Sequence, residues 1–227
     1  RGRIITPLKD RFGAEIRTHY PLELDAEVGV IRQEAHLSAE VPDYLLQIIG
    51  RFARLLRESN SVDQRSGVSA RFAIAAAETV AASARHRGAV LGEPDPVARV
   101  VDLGTIVDVL RGKLEFESGE EGREQAVLEH LLRRATADTA SRALGGVDVG
   151  PLVTAVEDGS PVTTGERVSA KDVLAALPGL PVIDAIAERL DAHGDGQRAA
   201  AVELALEGLY LAKRIDKSSD EGETVYG

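Results

Sequence analysis

The sequence predicts an all-α protein, on three observations. Apolar residues recur at three- and four-residue spacing through most of the chain, as at Leu45, Ile48, Ile49, Phe52, Leu55 and Leu56. The composition is rich in Ala, Leu, Glu and Arg, which lose little conformational freedom in a helix. Strand signals are nearly absent, and only "EIRTHYPLEL" and "LEFES" read as extended. With aromatics at 4% of 227 residues, Leu, Val, Ala and Ile must fill the core.

The helices follow in order. "LDAEVGVIRQEAHL" carries apolar residues at 28, 30, 31, 35 and 37, with Asp25 as its cap and Glu27 in the first turn, where the helix dipole favours a carboxylate. "VPDYLLQIIGRFARLLRES" is a longer helix closed by the loop "SNSVDQRSG". "VSARFAIAAAETVAASARHRG" is capped by Ser69, has a small-residue body that lets neighbours approach closely, and is expected to stop at Gly88. Arg85-His86-Arg87 then lie at its C-terminus, where cations are favoured and need no function. "PDPVARVVDLGTIVDVLRGKL" is expected to be a helix with Pro96 in its first turn.

The acidic "GEEG" opens a long helix with Val127, Leu128, Leu131 and Leu132 on its buried face, ended by Gly145-Gly146. Four shorter helices follow: "DVGPLVTAVEDG", "SAKDVLAAL" with Ser169 as cap and Asp172 reaching back, "PVIDAIAERLDAHG" and "RAAAVELALEGLYLAKRI". Residues 216–227 are polar and read as a loose tail. Breaks in the pattern fall at 88–96 and 145–165, and residues 1–22 look like the last piece of a different fold.

Composition narrows the function classes. A formal net charge of −10 makes the chain a poor nucleic-acid binder, because phosphate contacts need clustered Lys and Arg. The absence of Cys excludes disulfides and thiolate metal sites. No apolar run approaches the roughly 20 residues that span a bilayer, so no membrane partner is expected and the chain reads as cytoplasmic. The histidines at 19, 36, 86, 130 and 193 lack the close spacing of a zinc site. Glu115, Glu117, Glu120, Glu121 and Glu124 read as a solvated loop and helix start, with a basic-partner or cation surface as the sharper reading.

Two short motifs carry pointed chemistry. In Leu8-Lys9-Asp10-Arg11-Phe12, the plain reading is an Asp10–Arg11 ion pair with Phe12 anchored in a core. In Gly67-Val68-Ser69-Ala70-Arg71, a cation stands in the first turn of a helix, where the dipole disfavours it unless an anion such as phosphate faces it. The plain reading there is a surface arginine reaching water.

Together the motifs resemble the final part of an AAA+ ATPase of the branch holding magnesium chelatase subunit I and the MoxR-like ATPases. In that branch a Leu-x-Asp-Arg-Phe stretch follows the sensor-1 strand, and a Gly-x-Ser-x-Arg stretch opens a lid helix; "THYPLEL" is similar to its crossing from core to lid. The resemblance covers about residues 1–90 and implies a catalytic arginine finger at Arg11, reaching a neighbouring subunit's nucleotide. It implies a nucleotide-sensing role for Arg71 in the same subunit.

On this reading residues 1–22 are the C-terminal remnant of the AAA+ core, 23–90 the lid helical domain, 91–215 a helical extension and 216–227 a flexible tail. Lys9 departs mildly from the apolar residue common there. The phosphate-cradling loop and the acidic strand that holds Mg²⁺ belong, in this family, upstream of Arg1. The chain is thus expected to be a C-terminal fragment that binds no cofactor alone, while the intact protein uses ATP and Mg²⁺.

The resemblance further implies a homo-oligomeric ring, expected to be a hexamer. Its ATP hydrolysis would be coupled to metal insertion into a porphyrin or to protein remodelling, the latter with a von Willebrand factor A-domain protein as a candidate partner. The alternative is a non-catalytic helical interaction module whose acidic face recruits a basic partner and whose arginines are structural.

Overall fold

The strongest apolar stripe in the sequence becomes the centre of the first core. The computed structural model describes residues 10–14, 16, 19–63, 67–158, 161–220 and 222–227. It carries that stripe on α2 (Asp43–Glu58), where Leu45, Ile48, Ile49, Phe52 and Leu56 are wholly buried. Helices α1 (Leu24–Glu34), α3 (Ala70–Leu91) and α5 (Glu124–Ala143) pack on α2, and α4 (Gly104–Leu110) bridges α3 and α5. The alanines of α3 let it lie close: Ala76, Ala77, Val80, Ala81 and Ala84 have no exposed surface.

The second core gathers α6 (Gly150–Glu157), α7 (Ala170–Ala175), α8 (Pro181–Arg189) and α9 (Gly194–Leu211). Helix α9 is buried nearly all round. It gives Ala200 and Leu204 to the first core, and Ala199, Ala201, Val202, Ala205, Leu206 and Leu209 to the second. Ser169 caps α7 as expected, its hydroxyl accepting from the Asp172 N–H at 3.2 Å and donating to the Asp172 carboxylate at 2.6 Å. Among the described residues, no helix is long and apolar enough to cross a membrane.

The chain is mostly helical rather than all-α. Strands β1 (Val162–Gly165), β2 (Lys217–Asp220) and β3 (Glu223–Tyr226) form an antiparallel sheet in the order β1-β3-β2. Residues 217–220 and 222–227, expected to be loose, therefore pair with each other and with β1. Tyr226 opposes Val162 on one side and Lys217 on the other and is 2% exposed. Burial of that ring and two ladders of hydrogen bonds offset the polar composition of the segment. Of the two stretches expected to be extended, "LEFES" supplies only an isolated bridge from Phe116 to Val62, and residues 19–24 of the other hold no strand.

Three helix boundaries also differ from expectation. Helix α3 runs through Gly88 to Leu91 and ends on Gly92, whose φ of 71° suits the left-handed cap. Gly88 serves packing instead, because a Cβ there would stand 2.5 Å from the Pro96 Cβ. Pro96 opens no helix. Val97 bridges to Glu40, and the next helical residues are the 3₁₀ turn Val100–Leu103. The first core draws on both sides of this stretch, from Val28 to Leu204. Asp25 lies inside the first turn of α1, and Glu23 holds the cap position without a side-chain bond.

Candidate functional site

The stretch that opens α3 is built from below by α2. Val68 is 1% exposed, and its carbonyl accepts a hydrogen bond from Arg57 Nε at 2.9 Å. The other two guanidinium nitrogens of Arg57 donate to the two carboxylate oxygens of Glu27 on α1, at 2.6 and 2.7 Å. The pair is largely shielded, with the Arg57 and Glu27 side chains 10% and 1% exposed. Arg57 also lies 4.2 Å from the centre of the Tyr20 ring, a cation–π distance. One turn earlier, Arg54 Nη1 donates to the Leu22 carbonyl at 2.7 Å. The C-terminal half of α2 thus holds the 20–22 segment and the turn at 67–69 in one frame.

From that frame Arg71 projects into solvent. It stands in the first turn of the 22-residue α3 and has no ion pair or hydrogen-bond partner among the described residues. Ser69 occupies the N-cap with extended backbone, yet its hydroxyl makes no capping bond. Among the described residues the helix therefore begins with N–H groups that no side chain caps and an unpaired cation beside them.

Asp10, Arg11 and Phe12 lie in an exposed turn, with Phe12 64% exposed. This corrects the plain reading of Phe12 as a core anchor. No Asp10–Arg11 ion pair forms among the described residues. Leu8, Lys9 and Thr18, which also carry the resemblance, lie outside the described residues. Arg11 and Arg71 share no partner among the described residues.

The remaining sequence candidates are quieter. Among the described residues no three His, Asp or Glu side chains are grouped to hold a metal ion. His193 pairs with Asp191 at 3.0 Å, and His19 Nδ1 lies 2.7 Å from the Tyr20 carbonyl. In the acidic stretch, Glu120 accepts from the Ser61 hydroxyl at 2.8 Å. Glu124 is held below the usual carboxylate range by N–H groups of its own residue and Gly122, as suits the start of α5.

A second polar cluster went unread in the sequence. Arg87, expected at a solvated helix end, is 3% exposed. It donates to Glu93 at 3.0 Å, to the Val97 carbonyl at 2.7 Å and to Asp102 at 3.2 Å. Asp102 also accepts from the Ser83 hydroxyl and the Arg99 N–H, each at 2.8 Å. Arg99 has no exposed surface and reaches into the second core, where its Nη2 donates to the Gly165 and Val168 carbonyls at 2.8 and 2.7 Å. Its Nη1 lies 3.3 Å from Glu203 on α9. Glu207, one turn on, accepts from Lys217 at 2.7 Å and from the Tyr226 hydroxyl at 2.6 Å.

The chain matches no protein-family model, no curated protein and no solved structure.

Proposed function

We propose that the chain is the lid and helical extension of an AAA+ ATPase of the magnesium chelatase subunit I and MoxR-like branch. One observation carries the reading: Arg71 is exposed and unpaired among the described residues, in the first turn of a long helix whose N–H groups are also uncapped. An arginine so placed costs roughly 0.3 to 1 kcal/mol against the helix dipole and recovers it when an anion arrives. A purely structural role, as in a non-catalytic interaction module, would tie that cation to a carboxylate.

In this reading Arg71 meets the γ-phosphate of ATP bound by its own subunit, and Arg11 reaches the nucleotide of the neighbouring subunit in a ring. A second cation at the transferring phosphoryl group stabilises charge in the transition state, and such fingers contribute roughly 10³ to 10⁵ in rate. Both side chains are solvent-exposed, as contact with a ligand or a neighbour requires. The residues that would cradle the phosphates and hold Mg²⁺ belong, in this family, to an upstream part of the polypeptide. The ring's output is metal insertion into a porphyrin or remodelling of a protein partner.

The test uses the intact protein. Arg11→Ala is expected to leave nucleotide binding nearly unchanged and to remove most turnover, with partial recovery in rings mixed with a mutant of the Mg²⁺-holding strand. Arg71→Ala is expected to lower turnover while the lid stays folded. Full activity in both variants would exclude the reading.

A further inference from the structure

A carboxylate in an apolar helix is tolerated only where its charge is met, and that of Glu203 is met poorly. Glu203 is 1% exposed, on the helix shared by both cores. Among the described residues, neither of its oxygens has a hydrogen-bond partner. Arg99 Nη1 stands 3.3 Å away but makes no hydrogen bond, and its Nη2 is committed to the Gly165 and Val168 carbonyls. The Val101 N–H lies near the carboxyl and falls short of hydrogen-bond geometry.

The charge count around the joint is also uneven. Among the described residues, the ion-paired groups are three cations, Arg87, Arg99 and Lys217, and four carboxyls, Glu93, Asp102, Glu203 and Glu207. Glu93, Asp102 and Glu207 each accept at least one good hydrogen bond; Glu203 accepts none.

The groups facing it come from every side. Arg87 reaches in from α3 and Tyr44 from α2, while Arg99 and Asp102 come from the 3₁₀ turn and the residue before it. Glu207 follows on α9, Lys217 and Tyr226 come from the sheet, and Arg133 of α5 lines the same cavity of about 240 Å³. Burial pushes the Glu203 carboxyl up from its ordinary value and Asp102 adds to the rise, while Arg99 and Arg87 pull it down.

We propose that Glu203 is a proton-binding site that locks the joint between the two cores, holding its proton while the joint is closed and releasing it to solvent when the joint opens. The inference does not depend on the ATPase reading. The closed joint binds the proton more tightly than the open one. Closure is therefore fully favoured below the ordinary carboxyl range. It weakens as pH rises toward the closed-state value, by up to tenfold in the equilibrium constant per pH unit. Above that value an ionised Glu203 beside Asp102 disfavours closure.

Carbon-13 NMR of the 227-residue chain labelled at glutamate carboxyls, with Glu203 assigned through its backbone, tests this directly. At pH 7 the Glu203 signal is expected at the position of a neutral acid and moves to the ionised position only at higher pH. Glu203→Gln keeps the shape without the charge. It is expected to raise the thermal midpoint at pH 8 and to flatten the fall of that midpoint between pH 5 and 9. An ionised Glu203 signal at pH 7 would overturn the proposal, as would a Glu203→Gln chain less stable than wild type at every pH.

Discussion

Arg57 holds Glu27 through two parallel N–H···O bonds of 2.6 and 2.7 Å, and its remaining nitrogen holds the carbonyl of Val68, three residues before Arg71. One side chain thereby joins α1, α2 and the start of α3. Removing one partner of a shielded pair leaves the other charge uncompensated, at a cost of about 3 to 5 kcal/mol where burial is deep. Glu27→Gln is expected to lose about 3 kcal/mol in urea unfolding of the chain. Arg57→Lys keeps the charge but not the fork, and is expected to lose about 1 to 2 kcal/mol. Equal stability of both variants and wild type would show that the pair holds nothing.

Arg71 should behave in the opposite way. With no partner to lose among the described residues and a dipole to oppose it, Arg71→Ala is expected to leave the urea midpoint of the chain unchanged or to raise stability by roughly 0.3 to 1 kcal/mol. A loss of more than about 1 kcal/mol would identify Arg71 as structural. The 227-residue chain by itself is expected to turn over no ATP, having no phosphate-cradling loop in its sequence. Turnover above a blank that Arg71→Ala abolishes would contradict this.

Two glycines on helices make a matched pair. Gly88→Ala drives a Cβ to 2.5 Å from the Pro96 Cβ, part of a rigid ring that cannot swing aside. The expected loss is about 1 to 3 kcal/mol, although alanine is the better helix former. Gly29 on α1 has nothing within 4 Å of its would-be Cβ, so Gly29→Ala is expected to gain up to about 1 kcal/mol. Thermal unfolding of the two variants side by side checks both signs.

At alkaline pH two phenols should report on the fold. Burial raises Tyr226 and Tyr44 well above the ordinary tyrosine value, with Glu207 adding to the rise at Tyr226 and Glu203 at Tyr44. A raised acid is protonated in the folded state where the unfolded chain would ionise, so stability is complete below about pH 10 and falls as pH rises beyond it. Phenolate absorbance from these two is expected to appear only together with loss of helical circular dichroism. Its appearance at full helicity would show that the Tyr226–Glu207 contact opens locally.

Helices α2 and α5 were legible because their apolar stripes recur over many turns, and the start of α3 because Ser69 and the alanine run mark it. The end of α3 misled because a glycine needed for close approach reads like a stop. The sheet was hidden because its strands are four residues long and β1 pairs with a segment far along the chain, beyond the reach of any local period. Glu27 reads only as a first-turn carboxylate and Arg57 carries no mark of its own, since spacing cannot tell a guanidinium that finds a carboxylate from one that finds water. Arg99 and Glu203 left a signal that went unused: a lone charge inside "PVARVV" and two carboxylates four residues apart inside "AAAVELALEGLYL". A charge in an otherwise apolar run is costly enough to imply a partner.

Helix α9 presents one flank to each core, and that restricts how such a polypeptide can be rearranged in evolution. A recombination crossover near residue 145 would give one descendant a bundle with bare patches where Ala200 and Leu204 had sat. The other descendant would carry Arg99's two acceptor carbonyls and a Glu203 without the guanidinium that stands 3.3 Å from it. Neither half is a cassette. Bundle and extension are expected to travel together through gene fusions and losses, and changes on α9 to be matched by changes in both flanking cores.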